Sequence, residues 1–253
     1  MVVMLLINDY WINETHRGVL RVQDLAVEGF FAETPRALAR EVSLACQAAL
    51  NAVKGWSCRL STEQTKIVIK NAKGLEKKME GIAKVFTCEQ EEPFKEAKEE
   101  VRAASQTLRF FARYVDFSIR EWHAFNRPGM LNLVQHYLIG PIVVILPCNY
   151  SVLPTAWRAA SALVASCTVV IKLFSKTPLA VAEFERCLIE AGSPEWKVNL
   201  VHRSGRDISI ALVRSPAGVM IVFTGETEAG KTLVREAPQR AECLVFNLGV
   251  QCP

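Results

Sequence analysis

Apolar positions in the first half of the chain recur every three or four residues, whereas in the second half they come in short unbroken runs, the change falling after Pro128-Gly129. The first pattern predicts helices and the second predicts buried strands. Thr34-Pro35 offers a capping hydroxyl followed by proline at the first helical position, and Leu38, Val42, Ala45, Ala49 and Val53 then share one face until Gly55-Trp56. Ser61 with Gln64 resembles a capping box and opens a run in which Val68, Ala72, Leu75, Met79 and Ile82 step by four and three. After Pro93 a further helix places Val101, Ala104, Leu108, Phe111 and Val115 on one face. Its Glu96, Glu99, Glu100 and Arg102 lie elsewhere around it and read as a solvated face.

The apolar runs are IVVIL at 142–146, TVVIKL at 168–173, VNLV at 198–201, VMIVF at 219–223 and CLVFNL at 243–248, with helix-compatible segments between them. Strands apolar on both faces and alternating with helices predict an α/β, doubly wound, Rossmann-like parallel sheet covered on both sides, beneath an N-terminal helical layer. In such sheets ligands bind at the carboxyl ends of the strands. The opening MVVMLLI runs into Asn8, Asp9 and Tyr10 without a basic flank, so it reads as a first strand and not as a signal peptide.

Composition narrows the class of protein. Among 253 residues, half are apolar, enough for a core without staples. Thirty basic against 26 acidic side chains leave a formal charge of +4, with both signs interspersed, which argues against a nucleic-acid partner. The eight cysteines form no C-x-x-C pair and the four histidines are scattered, so neither a metal site nor a disulfide framework is expected. No run of 18 apolar residues is present, and the expectation is a protein of the cytoplasm with no membrane partner.

The predicted strand ends carry Leu146-Pro147-Cys148-Asn149-Tyr150, then Lys172 with Ser175, then Phe223 to Gly230, then Asn247-Leu248-Gly249. One of these segments has a second reading. Gly225 to Thr232 satisfies G-x-x-x-x-G-K-[ST], a phosphate-loop pattern, after a strand and before a helix. Against it, Glu226 and Glu228 lie inside the loop and no upstream strand ends in the aspartate that would hold magnesium.

Taken together, the landmarks from Gly140 to Pro253 resemble the NAD(P)-dependent aldehyde dehydrogenase superfamily in one register: Asn149 followed by Ala156-Trp157, Val169-Val170 before Lys172, Thr177-Pro178-Leu179, Glu190-Ala191-Gly192, Asn199 with Val201, and Phe223 to Gly230. Ile7-Asn8 with Trp11, and Phe94 to Phe111, match more loosely. The resemblance implies an N-terminal strand and helical layer over 1–125, a linker or oligomerisation arm over 126–140 that includes His136 and Tyr137, and a dinucleotide-binding domain over 141–253.

The resemblance also assigns roles. Leu146, Pro147, Phe223, Leu248 and Gly249 fall at cofactor-binding positions; Gly225 and Gly230 flank the turn and helix that meet the pyrophosphate; Lys172 meets the adenosine ribose. Glu226 stands where serine is common, and a carboxylate aimed at the pyrophosphate would weaken binding. Ser175 with Lys176 replaces the ribose-binding glutamate of NAD-preferring members, which favours NADP slightly over NAD. Asn149 matches the oxyanion donor. Asn247 falls at the general-base glutamate, and an amide accepts no proton from water. Cys148 and Cys252 read as small apolar residues, not as substitute nucleophiles.

The family's nucleophilic cysteine belongs to a further domain beyond the position of Pro253. The expectation is therefore a truncated, degenerate aldehyde dehydrogenase, inactive alone, that binds a dinucleotide and forms a homo-oligomer or pairs with a full-length relative. The alternatives are a non-catalytic cofactor-binding or interaction protein and a phosphate-loop nucleotide-binding protein.

Overall fold

The computed structural model describes residues 5–7, 10–12, 19–24, 29–114, 120–123, 132–147, 149–173, 178–191, 198–202, 206–237 and 243–249. The strands are β1 (Leu5–Ile7), β2 (Tyr10–Ile12), β3 (Val19–Asp24), β4 (Gly29–Pro35), β5 (Arg120–His123), β6 (Asn132–Gln135), β7 (Pro141–Ile145), β8 (Thr168–Leu173), β9 (Val198–His202), β10 (Met220–Gly225) and β11 (Cys243–Leu248). The helices are α1 (Ala39–Ser57), α2 (Ser61–Gln90), α3 (Phe94–Tyr114), α4 (Val152–Val164), α5 (Leu179–Glu190), α6 (Arg206–Val213) and α7 (Thr227–Glu236).

Seven strands form one sheet in the order β11-β10-β7-β8-β9-β1-β2, while β3-β4 and β5-β6 are separate antiparallel pairs. The five strands from β7 to β11 run parallel, and β1 joins β9 antiparallel through Leu6 and Leu200. The sheet is the expected doubly wound one, extended by two N-terminal strands. Successive residues of β7 enter opposite cores: Ile142 and Val144 pack with α2, α3, α4 and α5, whereas Val143 and Ile145 pack with α1, α6 and α7. That two-sided burial explains why the strand reads as a continuous apolar run.

The N-terminal helices do not all lie on one side. α1 packs directly on the sheet beside α6, while α2 and α3 cover α5 and α4 on the opposite face.

Three local expectations are corrected. Thr34 and Pro35 do not cap α1; they end β4, both buried, and α1 starts at Ala39 with the Glu41 carboxylate accepting the Leu38 N–H at 2.8 Å. Ser61 is the first residue of α2, not its cap, and buried Gln64 does not turn back on the helix. Its amide donates to the Trp56 carbonyl at 2.9 Å and to Ser166 Oγ at 3.1 Å. In α3, Glu96, Glu99 and Arg102 are exposed as expected, but Glu100 is only 4% exposed and accepts the Leu153 N–H at 2.8 Å.

Glu100 belongs to a repeated device. Neither Ser151 before α4 nor Pro178 before α5 provides a side-chain cap. The orphan amides are met from the outer layer instead: Glu100 of α3 reaches the first turn of α4, and Glu89 of α2 accepts from Leu179 and Ala180 of α5 at 2.5 and 3.0 Å. A helix N-terminus favours a carboxylate, and such caps typically contribute about 0.5–2 kcal/mol. Burial opposes the charge, pushing Glu89 up to about 8 and Glu100 up to about 7 against the pull of those backbone donors. The outer helices thereby fix where α4 and α5 begin, and both helices follow strand ends that carry candidate site residues.

Candidate functional site

From β7 the chain winds outward through β8 to β9 in one direction, then returns to lay β10 and β11 on the other side of β7. The connections leaving β7 and β10 therefore diverge, which opens a crevice at their carboxyl ends. Leu146, Pro147 and Asn149 follow β7, and Gly225 and Glu226 close β10. Lys172 stands one strand away, in register with Ile145, which is in turn in register with Phe223.

Lys172 is 6% exposed, and burial lowers its amine to about 8. Among the described residues no carboxylate offsets that burial. A buried ammonium without an ion pair is unfavourable, and among the described residues Lys172 has none. The Leu146 N–H donates to the Lys172 carbonyl at 3.2 Å and holds the two strand ends together.

On the other side of the crevice, α7 begins immediately after Gly225-Glu226. Glu226 is exposed in extended backbone geometry and makes no side-chain cap, so the first-turn N–H groups are left for an outside acceptor. At 225 a Cβ would lie 2.8 Å from the Phe223 ring, so a side chain there would require the ring to shift. The Phe223 ring packs against Phe246 at 5.7 Å between centroids. Thr227 Oγ1 donates to the Gly249 carbonyl at 2.9 Å, and the Gly249 N–H donates to the Gly225 carbonyl at 3.1 Å, so the residue after β11 is tied to both flanks of the turn.

The phosphate-loop pattern does not become a phosphate loop. Residues 227–230, which such a loop would leave unwound around phosphates, are already helical, and Lys231 pairs with Glu228 at 2.7 Å along the surface of α7.

Asn149 is exposed in the turn before α4, and Tyr150 next to it adopts the left-handed conformation with φ 51°. Such strain in a non-glycine residue is held only where its surroundings fix it. Here the Glu100 bond to Leu153 anchors the chain three residues on. Beyond this turn a groove of about 700 Å³ runs between α3 and α4, walled by Phe110, Phe111, Leu153 and Trp157.

The sequence matches the aldehyde dehydrogenase family over residues 11–253. The chain belongs to that family. It is 25% identical to the glutarate-semialdehyde dehydrogenase of Pseudomonas aeruginosa, with 96% of this chain and 50% of the relative aligned. It is 26% identical to the NADP(+) succinate-semialdehyde dehydrogenase of Escherichia coli, with 98% and 52% aligned. The salicylaldehyde dehydrogenase of Pseudomonas putida, solved with salicylaldehyde, superposes with a TM-score of 0.94 at 26% identity, over 100% of this chain and 53% of that one. The chain spans about half the length of the curated relatives it matches.

Of the residues expected from the aldehyde dehydrogenase resemblance, Leu146, Pro147, Asn149, Lys172, Phe223, Gly225, Glu226, Leu248 and Gly249 come together at the carboxyl edge of the parallel sheet. Gly230 is buried inside α7, where a Cβ would lie 2.5 Å from Leu248 Cδ2; its place is in the packing of α7 on β11. Asn247 is exposed on β11, the edge strand. Cys148, Ser175, Lys176 and Cys252 lie outside the described residues. Sequence reasoning missed Thr227, Glu89 and Glu100, whose partners are 22, 90 and 53 positions away. No local pattern signals contacts at that separation. Among the described residues no helix is long and apolar enough to cross a membrane.

Proposed function

We propose that these residues form the NAD(P)-holding portion of an aldehyde dehydrogenase: the pyrophosphate lies over the first turn of α7, the adenosine ribose meets Lys172, and Asn149 donates to the oxyanion formed from the aldehyde. The observation that carries the reading is the convergence of an uncompensated buried lysine and an uncapped helix start on the crevice between β7 and β10. When bound, the cofactor supplies the hydride acceptor. Lys172, Gly225 and the start of α7 hold and orient it, and Glu226, exposed at the turn, weakens its affinity by like charge. Ser175 and Lys176 favour the 2′-phosphate of NADP. Some relatives are named as NADP(+) enzymes, which agrees with that choice.

Within these residues the reaction is incomplete. Asn247 cannot serve as a base toward water, and no cysteine here takes the place of the family nucleophile. The chain alone binds cofactor without turning over aldehyde. Calorimetric titration with NADP and then NAD tests this: saturable binding, tighter for NADP, supports the reading, and no heat with either at millimolar concentration contradicts it.

A second reading, association with a further copy or a full-length relative, is favoured by Tyr137, Leu138 and Ile139, all exposed and adjacent, and by the open edge of β11, where Val245 is exposed. Light scattering of the purified chain, alone and mixed with a full-length family member, decides it, since a persistent monomer in both excludes association.

A further inference from the structure

The turn that carries Asn149 is suspended between two anchors. On the strand side the Leu146 N–H donates to the Lys172 carbonyl at 3.2 Å. On the helix side the Glu100 carboxyl accepts the Leu153 N–H at 2.8 Å and the Val152 N–H as well. Between them Tyr150 holds the left-handed conformation, with φ 51°. The start of α4 adds no cap of its own: the Ser151 side chain makes no cap bond, and its hydroxyl is buried without a partner. The helix-side anchor therefore rests on one carboxyl group, whose second oxygen, Oε2, is also buried without a partner. A charged carboxylate with an oxygen left unbonded out of water is unfavourable, whereas the neutral acid still offers an acceptor to the amides. Glu92, just beyond α2, is the charged side chain that acts on Glu100, and it is a second acid, itself facing Glu96. Among the described residues no basic side chain offsets the pair.

We propose that Glu100 is a positioning residue for Asn149, holding the first turn of α4 while its carboxyl carries a proton and releasing that turn on ionisation. The proposal rests on the reading of Asn149 as the oxyanion donor. The amides of Val152 and Leu153 favour the charged carboxylate, but burial first and Glu92 next oppose it, and the group is lifted from 4.5 to about 7. In an opened turn, with Glu100 in water, the carboxyl returns to its ordinary value. The anchor is therefore fully effective below about pH 4.5, and its advantage is lost as pH rises to about 7. Ionisation opens the turn and not the sheet, since the bond from Leu146 to Lys172 involves no titrating group. Once the first turn of α4 is released, nothing on the helix side compels the left-handed Tyr150, and Asn149 loses its fixed direction.

Amide hydrogen exchange of the isotopically labelled 253-residue chain from pH 4.5 to 8, corrected for intrinsic rates, tests the assignment. Protection at Val152 and Leu153 is expected to fall by about tenfold or more as pH rises and to level off above about pH 7. The Asn149 side-chain and Tyr150 backbone signals titrate with a midpoint near pH 7. Glu100→Gln keeps an acceptor oxygen but cannot ionise, so it makes both readouts independent of pH, which a merely structural contact would not do. Glu92→Gln removes the opposing charge and completes the fall at lower pH. Unchanged signals from β7 and β8 show that the variants fold. Protection that stays constant with pH in the parent chain, a fall that persists in Glu100→Gln, or a fall with no change at Asn149 overturns the proposal. All of these are read on the free chain, so a coupled transition in a chain that binds no NADP overturns the cofactor reading and leaves the role of Glu100 standing.

Discussion

Thr227 and Gly249 are joined by a 2.9 Å hydrogen bond from the threonine hydroxyl to the glycine carbonyl, which couples the start of α7 to the end of β11. The turn between β10 and α7 is thereby closed from the side as well as from below, where Gly249 donates to Gly225. Two adjacent strand ends that form one wall of the crevice are thereby held together.

Thr227→Val is expected to release that wall. Losing one partly exposed hydrogen bond lowers stability by about 1 kcal/mol. The Gly249 amide, still facing Gly225, exchanges with solvent faster. Amide exchange by NMR checks this, and an unchanged Gly249 rate would mean that the threonine bond does not restrain β11.

Gly230 sets the closeness of α7 and β11. In Gly230→Ala the one close clash of the added Cβ is with the tip of the Leu248 side chain, which can rotate away, and the helical gain of alanine over glycine, about 1 kcal/mol, offsets the contact. Gly230→Val adds bulk that also presses on Phe223 and Phe246, each already 3.4 Å from an ideal Cβ, and is expected to destabilise by about 1–3 kcal/mol. Urea unfolding of Gly230→Val, with and without Leu248→Ala, checks the account, since partial rescue by the smaller partner is expected.

The buried carboxylates make stability fall with rising pH. Burial lifts Glu89 to about 8 and Glu100 to about 7, above the ordinary value of 4.5. Between those limits the folded state holds protons that the unfolded chain has released. Their contribution is therefore complete below about pH 4.5 and lost as pH rises through 7 to 8. Denaturant midpoints at pH 5, 7 and 9 should decline, and Glu89→Gln should flatten the decline. A midpoint that rises over this range would contradict the burial of both groups.

Lys172 carries the opposite sign. Its amine is lowered from 10.5 to about 8, so its stabilising contribution is present above 10.5 and lost as pH falls through 8. At neutral pH the folded chain holds an isolated buried cation, and Lys172→Met is expected to raise thermal stability while weakening cofactor binding by about tenfold or more. Calorimetric titration beside thermal melts checks both halves. Loss of stability in the variant would mean that the amine has a partner in the folded protein.

How far the sequence could be read depended on the range of the forces involved. β7, β8 and β10 were legible because residues such as Val143 and Val144 are buried on opposite faces, leaving an uninterrupted apolar run. The placement of Lys172 and Gly225 at one edge was legible because a parallel sheet delivers its strand ends to one side. The start of α1 was misread because Thr34-Pro35 has a cap's local form, yet Thr34 is fully buried at the end of β4. Glu100 was misread because helical periodicity records which side of α3 a residue occupies, and not that the backbone of α4 waits there for a carboxylate.

The most direct test of the central claim is an amide chemical-shift map of the isotopically labelled chain on titration with NADP. Saturable shifts concentrated at Leu146, Lys172, Gly225, Glu226, Thr227 and Gly249 are the predicted result, placing the dinucleotide across the ends of β7, β8 and β10. No shifts, or shifts confined to the far side of the sheet, would contradict it.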